Sequence, residues 1–256
     1  MPRRHTLQAV VFDLDDTLVL ERHYVQSGFQ AVAEAIAEHQ RRNPEPGTRN
    51  PERQQRGRPD LAPGPAVAAT LFAWLWGQFR RGRRERLFNA LSDRFGLGLD
   101  QGRIDELVRL YRSHVPADLR PCPGVPALLR RLRRRGLKLG LLGDGYLPAQ
   151  RLKLEACGLA GEFDVVVFTE DLGRQAWKPA PDGFIEAARR LGVPQEACAY
   201  VADNPAKDFL PANRLGWLSI QWRRRGQVHA DRPAPPGGRP SIVVRSVREL
   251  LRALGG

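Results

Sequence analysis

Six short apolar runs rich in β-branched residues recur along the chain, at Leu7 to Phe12, Leu137 to Leu142, Val165 to Phe168, Ala199 to Ala202, Leu218 to Trp222 and Ile242 to Val244. Their lengths suit strands. Helical spacing fills stretches ahead of the later runs, as at Val125 to Arg135, Phe184 to Leu191 and Ala206 to Leu215. A helix between two strands of one sheet returns the chain so that both strands run the same way. The alternation therefore predicts an α/β fold, a parallel sheet with crossover helices.

The interval between Phe12 and Leu137 is far too long for a single crossover. Glu21 to Gln40 is amphipathic, with Val25, Phe29, Val32 and Ile36 on one face, and helical patterns follow at Ala66 to Phe79, Arg84 to Phe95 and Gln101 to Val115. These predict a helical unit over 19–118, inserted in a sheet domain made of 1–18 and 119–256. Residues 41–65 combine Pro, Gly and Arg with almost no apolar side chains and read as a flexible loop. Arg224 to Pro240, which contains PAPPGGRP, reads as a surface connection. Tyr24, Phe29, Trp74, Trp76 and Phe79 fit either a pocket lining or helix-packing core, and helical spacing favours core.

With 42% hydrophobic and 27% charged residues the chain is neither fibrous nor disordered. No run of 18 apolar residues is present, and MPRRHTLQAVVFD lacks the apolar core of a signal peptide, so neither membrane insertion nor secretion is expected. Cys122, Cys157 and Cys198 are too scattered for a thiolate metal site or a disulfide framework. They suit buried fillers in a reducing cytoplasm. The net charge of +13 raises nucleic acid as a partner. Yet of 41 Lys and Arg only Lys138, Lys153, Lys178 and Lys207 are lysines, and no aromatics interleave with the arginine runs. That composition reads as a coding bias rather than a binding face, so nucleic acid is not the expected partner.

Chemistry concentrates where strands end. The first run closes in VVFDLDDTL, with Asp13 at the carboxyl edge of the sheet and Asp15 two residues on, and the fourth closes in VADNPAKD, with Asp203 and Asp208. Open α/β sheets bind ligands at that edge. Carboxylates crowded there repel, which a hard divalent cation with oxygen ligands, Mg²⁺ first among them, would relieve. Lys178, in WKPAPDGF, adds a fixed positive charge.

In this order FDLDDTL, LGLLGDGY, WKPAPDGF and VADNPAKD resemble the four motifs of the haloacid dehalogenase-like hydrolase superfamily, whose members are mostly Mg²⁺-dependent phosphatases. The resemblance spans nearly the whole chain and implies a Rossmann-like core with an inserted helical cap of the first type. It makes Asp13 the nucleophile that forms an aspartyl-phosphate and Asp15 the general acid and base. It implies a metal site from Asp13, the Asp15 carbonyl, Asp203 and Asp208, and a phosphate site from Lys178 with the backbone around Gly143 and Asp144. Thr17 suits a turn or helix start more than a catalytic role. The implied substrate is a small phosphorylated metabolite, and a homodimer is compatible with the sequence.

The second motif departs from that pattern, because Gly143 stands where the superfamily carries Ser or Thr. A hydroxyl donor is read as lost there, so serine should raise turnover; if glycine instead serves a positive φ or a close approach of the substrate, serine should lower it. Two further functions stay open: a metal-free haloacid dehalogenase, in which Asp15 would have no leaving group to protonate, and a catalytically weakened binding module.

Overall fold

A computed structural model describes residues 6–42 and 65–255. Among them are six strands, β1 (Ala9–Phe12), β2 (Lys138–Gly143), β3 (Val165–Phe168), β4 (Cys198–Ala202), β5 (Leu218–Trp222) and β6 (Ile242–Val244). They form one parallel sheet in the order β3-β2-β1-β4-β5-β6. The helices are α1 (Glu21–Arg42), α2 (Pro65–Arg80), α3 (Leu87–Phe95), α4 (Gln101–Ser113), α5 (Val125–Arg134), α6 (Ala149–Ala156), α7 (Asp182–Leu191), α8 (Phe209–Arg214) and α9 (Val247–Ala253). The predicted loop over 41–65 is too wide at both ends, since Arg41 and Arg42 complete α1 and Pro65 opens α2. The rest of it lies outside the described residues. No described helix is long and apolar enough to cross a membrane.

The described residues fall into two compact units, one running to Tyr24 and resuming at Val115, the other Val25–His114. In the first, every residue of β1 and β4 is buried, as strands covered on both faces require. One face presents Val11, Leu142, Tyr200 and Ala202 to a core with Phe184, Ala187, Ala188 and Leu191 of α7 and Phe209 and Ala212 of α8. Phe184 sits edge-on to Tyr200 at 4.7 Å and to Trp217 at 5.5 Å. Each such side chain contributes about 1.5–3 kcal/mol by leaving water. Helix α5 buries Val125, Leu128, Leu129 and Leu132, while Arg130, Arg131, Arg133 and Arg134 are exposed. Four of the 41 Lys and Arg are thus the solvated side of one amphipathic helix. Cys122, Cys157 and Cys198 are buried free thiols.

The second unit is helical. Phe29 meets Phe79 edge-on at 6.3 Å and Tyr111 at 5.6 Å, Trp74 meets Phe95 at 6.0 Å, and Trp76 stacks on Phe79 at 5.2 Å. Those aromatics pack on one another within the unit. Gly28, inside α1, admits a close approach of α4: a Cβ there would lie 2.7 Å from the Tyr111 ring. That contact offsets the roughly 1 kcal/mol that glycine costs in a helix.

Candidate active site

The sheet order places β2 on one side of β1 and β4 on the other, so successive connections leave β1 in opposite directions. A crevice opens at such a point beyond the carboxyl ends of the strands. Asp13 stands there. Its N–H still donates to the Val201 carbonyl at 2.9 Å, extending the β1–β4 ladder by one residue and holding the carboxylate beside the end of β4. Asp203, the residue after β4, is buried as well.

Asp13, Asp203 and Asp208 each offer a carboxylate oxygen such that the three atoms lie within 4.8 Å of one another. Burial pushes the Asp13 carboxyl up to about 6 against the opposing pull of Lys178, and Asp208 adds to the rise. Burial and then the neighbouring Asp208 and Asp13 carboxylates push Asp203 well above its ordinary range. The buried Asp203 Oδ2 has no hydrogen-bond partner among the described residues. Three close carboxylates, one with an orphan oxygen, form a donor set that fits a hard divalent cation.

Lys178 supplies the organic counter-charge. Its fully buried ammonium donates to Asp13 Oδ1 at 2.6 Å, Tyr200 Oη at 2.7 Å, Asp208 Oδ1 at 3.0 Å and the Leu142 carbonyl at 3.4 Å. Burial acts to lower its pKa, but Asp13 and Asp208 outweigh that and hold it well above the usual lysine range. Lys178 therefore places a positive charge directly against Asp13. Asp208 also accepts from the Asn204 N–H at 3.0 Å, so it shapes the loop after β4 while contributing charge.

Asp15 stands apart from the carboxylate cluster. Its Oδ2 accepts from Gln150 Nε2 at 2.8 Å and pairs with the Lys153 ammonium, both on α6. Asp16 adopts a left-handed φ of 57° and is almost fully buried. Its carboxylate accepts from the Glu21 N–H at 2.9 Å and the Val228 N–H at 2.6 Å, while Gln227 Nε2 donates to its carbonyl at 2.6 Å. The Arg224 to Pro240 stretch thus braces the loop that carries Asp13 and Asp15. Thr17 lies in that turn, four residues ahead of α1, and is not a helix start.

Gly143 ends β2 and is the register partner of Phe168 on β3. A Cβ at residue 143 would lie 2.8 Å from Phe168 Cδ1 and 3.1 Å from Gln150 Oε1. Serine there would need the Phe168 ring and the Gln150 amide to shift, a packing cost that the lost-donor reading leaves out. Asp144 is neither free nor aimed outward: Oδ1 accepts from Thr169 Oγ1 at 2.8 Å and the Lys178 N–H at 2.9 Å, and Oδ2 from Lys207 Nζ at 2.6 Å. Burial would raise its pKa, but Lys178 and Lys207 outweigh that and hold it below the usual carboxylate range.

Sequence reasoning missed Gln150, Lys153, Lys207 and Tyr200. The spacing of Gln150 and Lys153 in QRLKLEA put both on one helix face, a signal that was available. Lys207 and Tyr200 carried none, because only the sheet brings them to Asp144 and Lys178.

A family model described as haloacid dehalogenase-like hydrolase matches residues 7–216. The glyceraldehyde 3-phosphate phosphatase of Methanopyrus kandleri is 37% identical over 166 residues, 65% of this chain and 70% of that protein. The phosphoserine phosphatase of Thermus thermophilus is 36% identical over 184 residues, 72% of this chain and 68% of that protein. Among solved structures, the 2-haloacid dehalogenase of Pseudomonas syringae pv. Tomato aligns over 97% of this chain and 98% of its own, with a TM-score of 0.59 and 26% identity.

Proposed function

This chain belongs to the haloacid dehalogenase-like hydrolases, and we propose that it is a Mg²⁺-dependent phosphatase of a small phosphorylated metabolite that works through an aspartyl-phosphate. The observation that carries this is the buried grouping of Asp13, Asp203, Asp208 and Lys178 at the sheet's switch point. The two phosphatase relatives, whose names carry small phosphomonoesters, support the substrate class. The three buried free thiols suit a reducing cytoplasm.

Lys178 holds Asp13 Oδ1, which fixes the carboxylate and leaves Oδ2 to attack phosphorus. As the Asp13 O–P bond forms, the bond to the leaving oxygen breaks and Asp15 delivers a proton to that oxygen. Water then attacks the acyl phosphate while Asp15 takes back a proton, freeing inorganic phosphate and the Asp13 carboxylate. The Lys178 ammonium, with backbone N–H groups around Gly143 and Asp144, binds the phosphoryl oxygens. Asp13, Asp203, Asp208 and the Asp15 carbonyl would hold the Mg²⁺, which when bound neutralises charge between the nucleophile and the phosphoryl group.

The likeness to a 2-haloacid dehalogenase supports a second reading, carbon–halogen hydrolysis at the same Asp13. A halide leaves without a proton, so that chemistry gives Asp15, which two α6 side chains hold, nothing to do. Chelator-treated protein assayed with p-nitrophenyl phosphate, with and without added Mg²⁺, and with a 2-haloacid, separates the cases. Metal-dependent phosphate release is expected. Halide release without metal would overturn the proposal, and no turnover of either substrate would leave a binding module.

A further inference from the structure

Two side chains one turn apart on α6, Gln150 and Lys153, converge on a single oxygen of Asp15. Both are almost fully buried. The Lys153 ammonium also lies 4.8 Å from the Tyr24 ring centroid. Taking a lysine charge out of water costs several kcal/mol unless it is paired, so an apolar residue would serve the packing of α6 more cheaply. The direction in which the lysine spends its charge is therefore informative.

Both donors take Oδ2. Asp15 Oδ1 is buried and has no hydrogen-bond partner among the described residues. A carboxylate on a post-strand loop can otherwise swing about χ1 and χ2. Here a charge-assisted hydrogen bond from Lys153 and an N–H hydrogen bond from the Gln150 amide, delivered from one helix face, pin one oxygen and leave the other uncommitted. Gln150 is placed in turn by the sheet, because the glycine at 143 leaves room for its Oε1.

We propose that Lys153 and Gln150 are positioning residues for proton transfer: they fix the Asp15 carboxylate so that Oδ1 faces the leaving oxygen of the substrate. This rests on Asp15 acting as the acid and base of a phosphomonoester hydrolysis. Both are almost fully buried and spend their donors on Asp15, so both should act on turnover rather than on binding.

The test compares Lys153→Met and Gln150→Ala with the parent enzyme on two substrates. One is p-nitrophenyl phosphate, whose leaving group departs without help, and the other is glycerol 2-phosphate, whose alkoxide needs a proton. Lys153→Met should lower kcat on the glycerol phosphate by about tenfold more than on the aryl phosphate, a part of the 10²–10⁴ that a placed acid supplies. KM should stay within about twofold on both. Gln150→Ala should show the same selectivity at smaller amplitude, and it decides the matter if the buried-lysine variant does not fold. Equal losses on both substrates, or a loss confined to KM, would overturn the positioning role and leave phosphatase function standing. A parent enzyme inactive on both substrates would overturn the phosphatase itself and this proposal with it.

Discussion

The Phe168 ring fills the space that a side chain on Gly143 would need, its Cδ1 lying 2.8 Å from where a Cβ would be. The two residues are register partners on adjacent parallel strands, so their side chains project to the same face. Phe168 is buried, and the Arg151 guanidinium sits 5.2 Å above its ring. The superfamily hydroxyl missing at 143 and the aromatic at 168 are thus one packing solution.

Gly143→Ser is accordingly expected to lower kcat/KM by about tenfold, ~1.4 kcal/mol on the transition state. Overpacking of this kind costs about 1–3 kcal/mol of stability, or several degrees in Tm at ~2–4 °C per kcal/mol. Adding Phe168→Leu should return part of both. Steady-state kinetics and calorimetry on the single and double variants decide it, and a rise in kcat/KM for serine alone would show that the ring yields freely.

Asp13→Asn should remove turnover by about three orders of magnitude or more, since an amide cannot form the acyl phosphate. The metal-free fold should not suffer. Burial pushes the Asp13 carboxyl up to about 6, so at neutral pH the folded protein holds its charge at a cost, and a neutral group of equal size removes that cost. The Tm in chelator at pH 7.5 should stay level or rise, while the increase on adding Mg²⁺ should shrink. A marked fall in the metal-free Tm would contradict the picture of mutually repelling carboxylates.

The layout of the sheet was legible from the sequence because parallel strands buried on both faces are near-continuous apolar runs, and those of β1 and β4 are buried throughout. The strand-end carboxylates were legible for a related reason: a charged residue directly after such a run has nowhere to go but the sheet edge. Contacts made by crossing from one βα unit to another were not. The motif LGLLGDGY marked the turn whose backbone could meet a phosphate, but nothing in it showed that the Asp144 carboxylate is held by donors from three other places, Thr169, Lys178 and Lys207. Nothing in the sequence set Asp16 apart from Asp15 beside it, and only the fold shows it accepting from the Glu21 and Val228 N–H groups.

Asp16 should govern part of the pH dependence of stability. Burial raises its pKa from the ordinary 3.8 to about 6, with the Val228 N–H opposing. A folded pKa above the unfolded one means stability that is fully present below about pH 4 and lost as pH rises through 6. The span corresponds to roughly 2–3 kcal/mol at ~1.4 kcal/mol per unit. In Asp16→Asn, which tolerates the left-handed φ, the chelator-treated Tm should change less between pH 4 and 7 than in the parent, even if its absolute value is lower. An unaltered pH slope would remove Asp16 from this account.

Lys178→Met tests what balances the buried charges. The methionine fills much of the lysine's volume but leaves Asp13 and Asp208 without the ammonium that reaches both, at 2.6 and 3.0 Å. Removing one partner from buried ion pairs costs about 3–5 kcal/mol, here a loss of about 10 °C or more at ~2–4 °C per kcal/mol. A packing defect would be the same at every pH, whereas a charge defect would not. Without the lysine, which opposes the rise that burial imposes, the Asp13 carboxyl climbs further, so the stability it contributes is kept at low pH and lost as pH rises through that higher value. The deficit relative to the parent, measured in chelator, should therefore be large at pH 8 and small at pH 5, and Mg²⁺ should recover part of it at pH 8 by supplying the missing positive charge. A deficit equal at both pH values and indifferent to Mg²⁺ would mean that Lys178 contributes shape, and that the carboxylates of Asp13, Asp203 and Asp208 are balanced by something else.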